Sequence, residues 1–491
     1  MKKILAILLG IALAAGSAYA ASAWFVGKQV EASLVEPYKQ FESPPYTRIV
    51  RRDFRRGVFT STDTVTIELF GDMFRMMDQA QRHTGKPSRE PLEPIQFTVR
   101  SRITHGPVPG LSTLAAAIVD SEVELNGRLR REMAKALGDR KILTAQTVVR
   151  HDGSGDSVIA SPAFVATLAD PDSGTSLNVA WEGLNATLQF TGGLESYASQ
   201  GQAPKLEMTD EGGMRILMSG MRFRTTSKRI FKDEPLLYAG TQKLALAQML
   251  VDGPALGGKP FALKQVTYDV NVPASGEFID IIARIGVLEA LVGGQNYGPA
   301  HYDFSLKHLH ARTFARLQHA IVQVRNAGAQ PVAGNPAEAL GPLATPALKL
   351  LEHGPEISLD RLSFVTPQGE VLVVAKARLN DVQPEDASSL PALLAKLDAG
   401  ADIALPEALL MTQFGPAPQT VEAVQMRQKQ IVSFLEQGYI YRDGAMIKSK
   451  LEFRNGQFLV NGLPFDPMAA QSAPPPTANR IATPTRQPAK R

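Results

Sequence analysis

Three places in this chain carry residue types that do chemistry elsewhere. Gly253-Pro254-Ala255-Leu256-Gly257-Gly258-Lys259-Pro260 approaches a phosphate-binding loop. In such a loop backbone amides cradle phosphates, a lysine reaches them, and a Ser or Thr hydroxyl holds magnesium. Here Pro260 stands where the hydroxyl belongs, Pro254 removes an amide, and the segment follows a helix-like pattern rather than a strand. It reads as a Gly-rich connection, and no nucleotide is expected. His308 and His310 are two apart, so on a strand they share a face, with His301 close by. A metal needs a third ligand on that face. Tyr302, Phe304 and Leu306 occupy it, so no metal is expected. Arg48, Arg51, Arg52, Arg55 and Arg56 form the densest charge run. It fits lipid phosphates or another polyanion, and equally a strand edge charged against unwanted pairing.

Other chemistry is excluded more simply. The chain has no cysteine, which removes disulfides, thiolate zinc sites, iron–sulfur clusters and cysteine nucleophiles together. No Gly-x-Ser-x-Gly elbow is present, and no two acids stand at a telling spacing. No catalytic, cofactor-binding or metal residue is assigned, and the chain is not expected to be an enzyme. The formal net charge of +4 comes from Arg480, Arg486, Lys490 and Arg491 in an acid-free tail. The rest balances, so nucleic acid is not expected as a partner.

The elements that must position any site are mainly strands. Ile95, Phe97, Val99 and Ile103 alternate with polar residues, as do Leu184 to Phe190, Val266 to Val272, and Tyr302 to Leu306. One buried and one wet face is the antiparallel pattern. Ile447, Ser449, Leu451 and Phe453 face away from Lys448, Lys450, Glu452 and Arg454, and Asn455-Gly456 predicts a type I′ hairpin turn. Helices are predicted at Thr241 to Val251, Glu277 to Val292, Arg312 to Asn326, Ser389 to Ala399 and Gln419 to Gln437, and loops at Pro87 to Pro94 and Ala327 to Pro346. Gly-Pro recurs at 106, 253, 298, 341, 354 and 415, twice as His-Gly-Pro, and reads as a turn that opens the next element.

The address is clearer than the activity. Ile4 to Gly27 is an uncharged run after Met1-Lys2-Lys3. As a helix it spans roughly 36 Å, enough for a bilayer core of about 30 Å. Ala18-Tyr19-Ala20 offers a signal-peptide cleavage site, but the apolar run continues to Val26 with Trp24 at interfacial position, which favours an uncleaved anchor. Lys2 and Lys3 place the N terminus inside. The expected organisation is a transmembrane helix over 1–27, a β-rich region over 28–235, an α+β region over 236–465, and a Pro-rich disordered basic tail over 466–491. The expected fold class is α+β and strand-dominated: large twisted antiparallel sheets with a few packed helices, elongated, behind one transmembrane helix.

Trp24-Phe25-Val26-Gly27-Lys28, then Arg56-Gly57-Val58-Phe59-Thr60-Ser61, then His105-Gly106-Pro107 carry a resemblance, continued by Tyr297-Gly298-Pro299, His353-Gly354-Pro355 and Asn455-Gly456. In this order the chain resembles the YdgA-like family of bacterial envelope proteins. The resemblance implies an inner-membrane protein, single pass, with its bulk in the periplasm, and carries over no catalytic residue. The motif residues Arg56, Gly57, Phe59, His105, Gly106 and Pro107 are structural or binding. The structural reading has Phe59 anchoring a first strand in the core, on the side continued by Val65, Ile67 and Leu69, and Gly57 permitting a bend. The expected function is a non-enzymatic scaffold or partner-binding body. The alternative is handling of lipid along a sheet groove. Expected partners are the membrane, lipid or envelope proteins.

Overall fold

The computed structural model describes residues 47–465, except 74, 76–94, 112–113, 126, 170–175, 235–236, 327–335 and 412–420. The uncharged run at Ile4 to Gly27, the loop at Pro87 to Pro94 and the basic tail lie outside the described residues. No described helix is long and apolar enough to cross a membrane.

The first strands are Thr47–Arg56 (β1), Thr60–Leu69 (β2), Ile95–His105 (β3), Ala117–Leu125 (β4), Leu143–Val149 (β5), Gly155–Ser161 (β6), Phe164–Ala169 (β7), Ser176–Trp181 (β8) and Leu184–Phe190 (β9). Longer ones follow: Ser196–Asp210 (β10), Arg215–Arg229 (β11), Tyr238–Asp252 (β12), Phe261–Val272 (β13), Ala274–Ser275 (β14) and Phe278–Val292 (β15). The rest are Gln295–Tyr297 (β16), Ala300–His310 (β17), Glu356–Thr366 (β18), Gly369–Leu379 (β19), Leu397–Pro406 (β20), Tyr441–Asp443 (β21), Met446–Arg454 (β22), Gln457–Val460 (β23) and Leu463–Pro464 (β24). All pair antiparallel in one sheet. Its spine runs β1-β2-β3-β4-β5-β6-β9-β10-β11-β12-β13-β15-β17-β18-β19-β20-β22-β23. The β7–β8 hairpin joins the second half of β10. Position 235/236 falls between β11 and β12, and the sheet continues across it.

Among the described residues six helices decorate this sheet: Gly127–Leu137 (α1), Ala311–Asn326 (α2), Pro336–Leu351 (α3), Leu390–Ala395 (α4), Glu407–Met411 (α5) and Val421–Glu436 (α6). α2 and α6 occupy the predicted positions; α1 had no sequence expectation.

Two predicted helices are strands. Phe278–Val292 is β15, and Ile279, Ile281, Ile282, Ile285 and Val287 explain it. β-Branched side chains lose rotamer freedom in a helix and fit a pleated surface. Thr241 to Val251 is rich in helix formers but lies in β12, because β11 and β13 pair it along nearly its whole length. The predicted helix Ser389 to Ala399 is α4 only as far as Ala395, and β20 begins at Leu397. The predicted loop Ala327 to Pro346 contains the start of α3, so Gly341-Pro342 sits inside a helix rather than opening an element. The Asn455-Gly456 turn has φ of 51° and 74°, the type I′ signature.

Among the described residues, buried apolar side chains gather in three small clusters rather than one core. The first joins Leu237, Ile279 and Leu309 to Ala311, Ala315 and Leu350 of α2 and α3. The second is Ile103 with Ala117, packed by Phe54. The third puts Met133 and Leu137 of α1 on Ala166.

Candidate functional site

The two sequence motifs meet in space. His105 donates its amide to the Phe59 carbonyl at 2.9 Å, and its Nε2 lies 2.9 Å from the Ser61 hydroxyl. The Gly106 amide closes the next turn on the Ala116 carbonyl at 3.0 Å. Ser61 is 2% exposed and His105 1%. A serine beside an imidazole is the geometry of an activated nucleophile, but these two are sealed from solvent and hold strands together. Beside them Asp63, fully buried, receives Nε and Nη2 of Arg52 at 3.2 Å each. The arginine run is therefore not one surface: Arg52 neutralises an interior carboxylate, while Arg51 and Arg55 are exposed.

Phe59 does not anchor the core. It is 45% exposed in the turn between β1 and β2, and the buried side of β2 begins at Ser61 and runs through Asp63, Val65 and Ile67. Gly57 belongs to that turn, donating its amide to Thr60 at 2.9 Å. A Cβ on Gly57 would overlap the Thr60 carbonyl oxygen, so the motif needs glycine for the turn rather than for a bend within a strand.

The histidines are also rearranged. A bulge at His308, with φ 59°, rephases β17, so that Leu309 rather than His308 follows Leu306 into the first cluster. His308 stacks on Phe278 at 4.1 Å. His310 stacks on His353, also at 4.1 Å, bringing the second His-Gly-Pro to the histidine pair. Among the described residues no three His, Asp or Glu side chains converge to hold a metal ion. Gly253 to Pro260 links strand β12 to strand β13, so no helix N terminus follows it.

The larger feature is one face of the sheet. Directly opposed residues in an antiparallel sheet share a face. From β6 to β13 one such row reads Ile159, Ala186, Gly201, Phe223, Leu244, Tyr268. It continues from β15 to β20 as Ile285, Tyr302, Leu362, Val373, Ile403. Ten strand-to-strand steps of about 4.8 Å make a path on the order of 50 Å without a charge. The next row repeats the pattern from β17 to β22: Phe304, Leu359, Ala375, Ala401, Leu451. The opposite face carries the ion pairs Lys307–Glu356, Arg361–Glu370 and Arg454–Asp398.

This apolar face is open between helices. A cavity of about 480 Å³ lies on it, lined by Tyr302, Phe304, Ile357, Leu359, Leu451 and Phe453. Tyr302 is 45% and Ile357 48% exposed. At one margin α2 and α3 cover Ile281, Leu306 and Leu309. At the opposite margin Ile431 and Phe434 of α6 face Ile403, Leu405 and Ile447 across a second cavity of about 430 Å³. A third, of about 650 Å³, includes Phe223, Leu244 and Tyr268.

Residues 1–468 match the family described as "Bacterial protein of unknown function (DUF945)". The chain belongs to this family. No curated protein and no solved structure matches it.

The sequence already showed part of this face, through Tyr302, Phe304 and Leu306 and through Leu451 and Phe453. It missed the share contributed by β12, β15 and the start of β20, all read as helix. The usable signal was the run of β-branched residues at Ile279 to Val287.

Proposed function

We propose that this chain is a non-enzymatic, membrane-anchored periplasmic protein of the YdgA-like type whose apolar sheet face holds the acyl chains of lipids. The observation that carries this reading is the uncharged cross-strand path, backed by ion pairs on the other face. None of the three buried clusters contains Phe304, Leu359 or Leu451. A body acting only as a scaffold calls for a closed core, whereas covering this face with hydrocarbon gains about 25 cal/mol per Å² of apolar surface removed from water. The path is longer than one acyl chain, which suits several chains or passage along the face. The uncharged run Ile4 to Gly27, read as an anchor, keeps the groove beside its source of lipid.

The test is extraction and mass spectrometry of lipids from the purified full chain, with Tyr302→Lys and Ile357→Glu as groove variants. Val374→Glu is the control, since Val374 is exposed on the opposite face. Lipid recovered from the wild type and the control but at least about tenfold less from the groove variants supports the reading. Equal recovery from all, or a bound apolar peptide instead of lipid, overturns it.

A further inference from the structure

The helical hairpin α2–α3 lies over one end of the apolar face, and the means of its attachment is unusual. His310 ends β17 and precedes α2. Its Nδ1 accepts the Thr313 amide at 3.4 Å and lies 2.8 Å from the Thr313 hydroxyl. An amide can only donate, so Nδ1 is bare and the ring proton sits on Nε2, which faces the Glu277 carboxylate at 3.8 Å. The imidazole thus does the work of an Asn or Asp at a helix start. The second helix of the hairpin is brought to the same point by His353, just past α3, whose ring is stacked 4.1 Å from that of His310 at 13°. Phe278 packs edge-on against both rings.

We propose that the His310–His353 stack is an acid-sensitive latch that fixes α2–α3 over the end of the apolar groove, so that protonation frees the hairpin and lengthens the exposed apolar track. This inference rests on the groove reading for its consequence, but the latch itself stands on geometry. A proton on Nδ1 of His310 turns the cap acceptor into a donor aimed at the Thr313 amide.

The surrounding charges do not rescue a protonated His310. Glu277 favours the cation, but it also lies 3.9 Å from Arg312. Arg312 is bound to Asp233 at 2.7 Å and stacked over Phe231. Arg316 and Arg312 on α2 oppose a positive His310. From β19, the Arg378 guanidinium approaches Gly354, next to His353. His319, farther along α2, meets Glu234 at 3.9 Å. His308 stacks on Phe278, with its amide on the Asp280 carboxylate at 2.8 Å. Burial first, then His353, hold the His310 imidazole below its ordinary value. A histidine lowered in the folded state adds stability above its unfolded value near 6.5 and loses it as pH falls through that value toward the folded one.

The test is hydrogen–deuterium exchange of the full chain at about pH 7.5 and about pH 5.5, on either side of the ordinary histidine value, corrected for intrinsic exchange rates. Peptides within 311–326 and 336–351 are expected to lose protection severalfold, up to about tenfold, at the lower pH, while β11–β12 peptides do not. His310→Asn keeps a cap acceptor that does not titrate and should abolish the pH response while retaining protection. His353→Phe keeps a stacked ring and should shrink it. The environment-sensitive dye N-phenyl-1-naphthylamine is followed in parallel, with binding expected to rise at low pH. PH-independent protection in the wild type, or an unchanged response in His310→Asn, overturns the latch even if dye binds. A pH-dependent hairpin with no dye bound at either pH upholds the latch and removes the groove reading.

Discussion

The hydroxyl of Ser61 meets Nε2 of His105 at 2.9 Å across 44 residues of sequence. This bond joins the β1–β2 turn, with its Arg-Gly-Val-Phe motif, to the His-Gly-Pro turn after β3. It is buried at both ends. Ser61→Ala should therefore cost about 0.5–1.5 kcal/mol, the typical net worth of one such hydrogen bond. Thermal or urea melts measure this directly, and a wild-type midpoint would show the pair to be dispensable.

Arg52 and Arg51 should separate the two readings of the arginine run. Arg52→Ala leaves the carboxylate of Asp63 buried without its guanidinium, a change that typically costs about 3–5 kcal/mol. Arg51→Ala removes an exposed charge and should shift stability by less than about 0.5 kcal/mol. Denaturant midpoints of the two variants, compared side by side, settle the contrast. Similar losses for both would mean that the run acts as one unit.

Gly201 and Phe223 are opposed on β10 and β11, and the Phe223 ring occupies the space a side chain on Gly201 would take. A glycine weakens a strand unless a neighbour covers it. Gly201→Val should displace the ring and destabilise the sheet by about 1–3 kcal/mol, the usual cost of overpacking. Gly201→Val combined with Phe223→Ala should recover part of that loss. A double-mutant cycle gives the coupling, and strict additivity would refute the contact.

Asp360 is the extra residue where β18 bulges between β17 and β19. Burial pushes its carboxyl up, but hydrogen bonds from Ser358 and Ser305, with Lys307 nearby, more than offset this and hold it below the ordinary carboxylate value. A carboxylate lowered in the folded state adds stability above its unfolded value near 3.9 and loses it as pH falls through that value toward the folded one. Asp360→Asn should accordingly lower stability near neutrality and flatten the acid limb of the stability–pH profile, so that the variant and the wild type converge at low pH. Melts across that range check it, and an acid limb as steep as that of the wild type would contradict it.

Much of the architecture was legible in the chain itself. Alternation at Ile95 to Ile103, Leu184 to Phe190 and Ile447 to Phe453 fixed antiparallel strands, because a period of two has no other meaning over such lengths. Asn455-Gly456 fixed a turn, because both positions need positive φ. The absence of cysteine closed off a whole chemistry. What only the tertiary structure decided was pairing and phase. Thr241 to Val251 is made of helix formers, and partners on both sides made it a strand. The bulge at His308 moved one histidine out of the alternation and set another against His353, which lies beyond two helices. Phe59 looked like the first residue of a buried face, but the turn around Gly57 leaves it outside. The apolar path from Ile159 to Ile403 exists only because eleven strands fall into one register, and register is a relation between segments that no single segment contains.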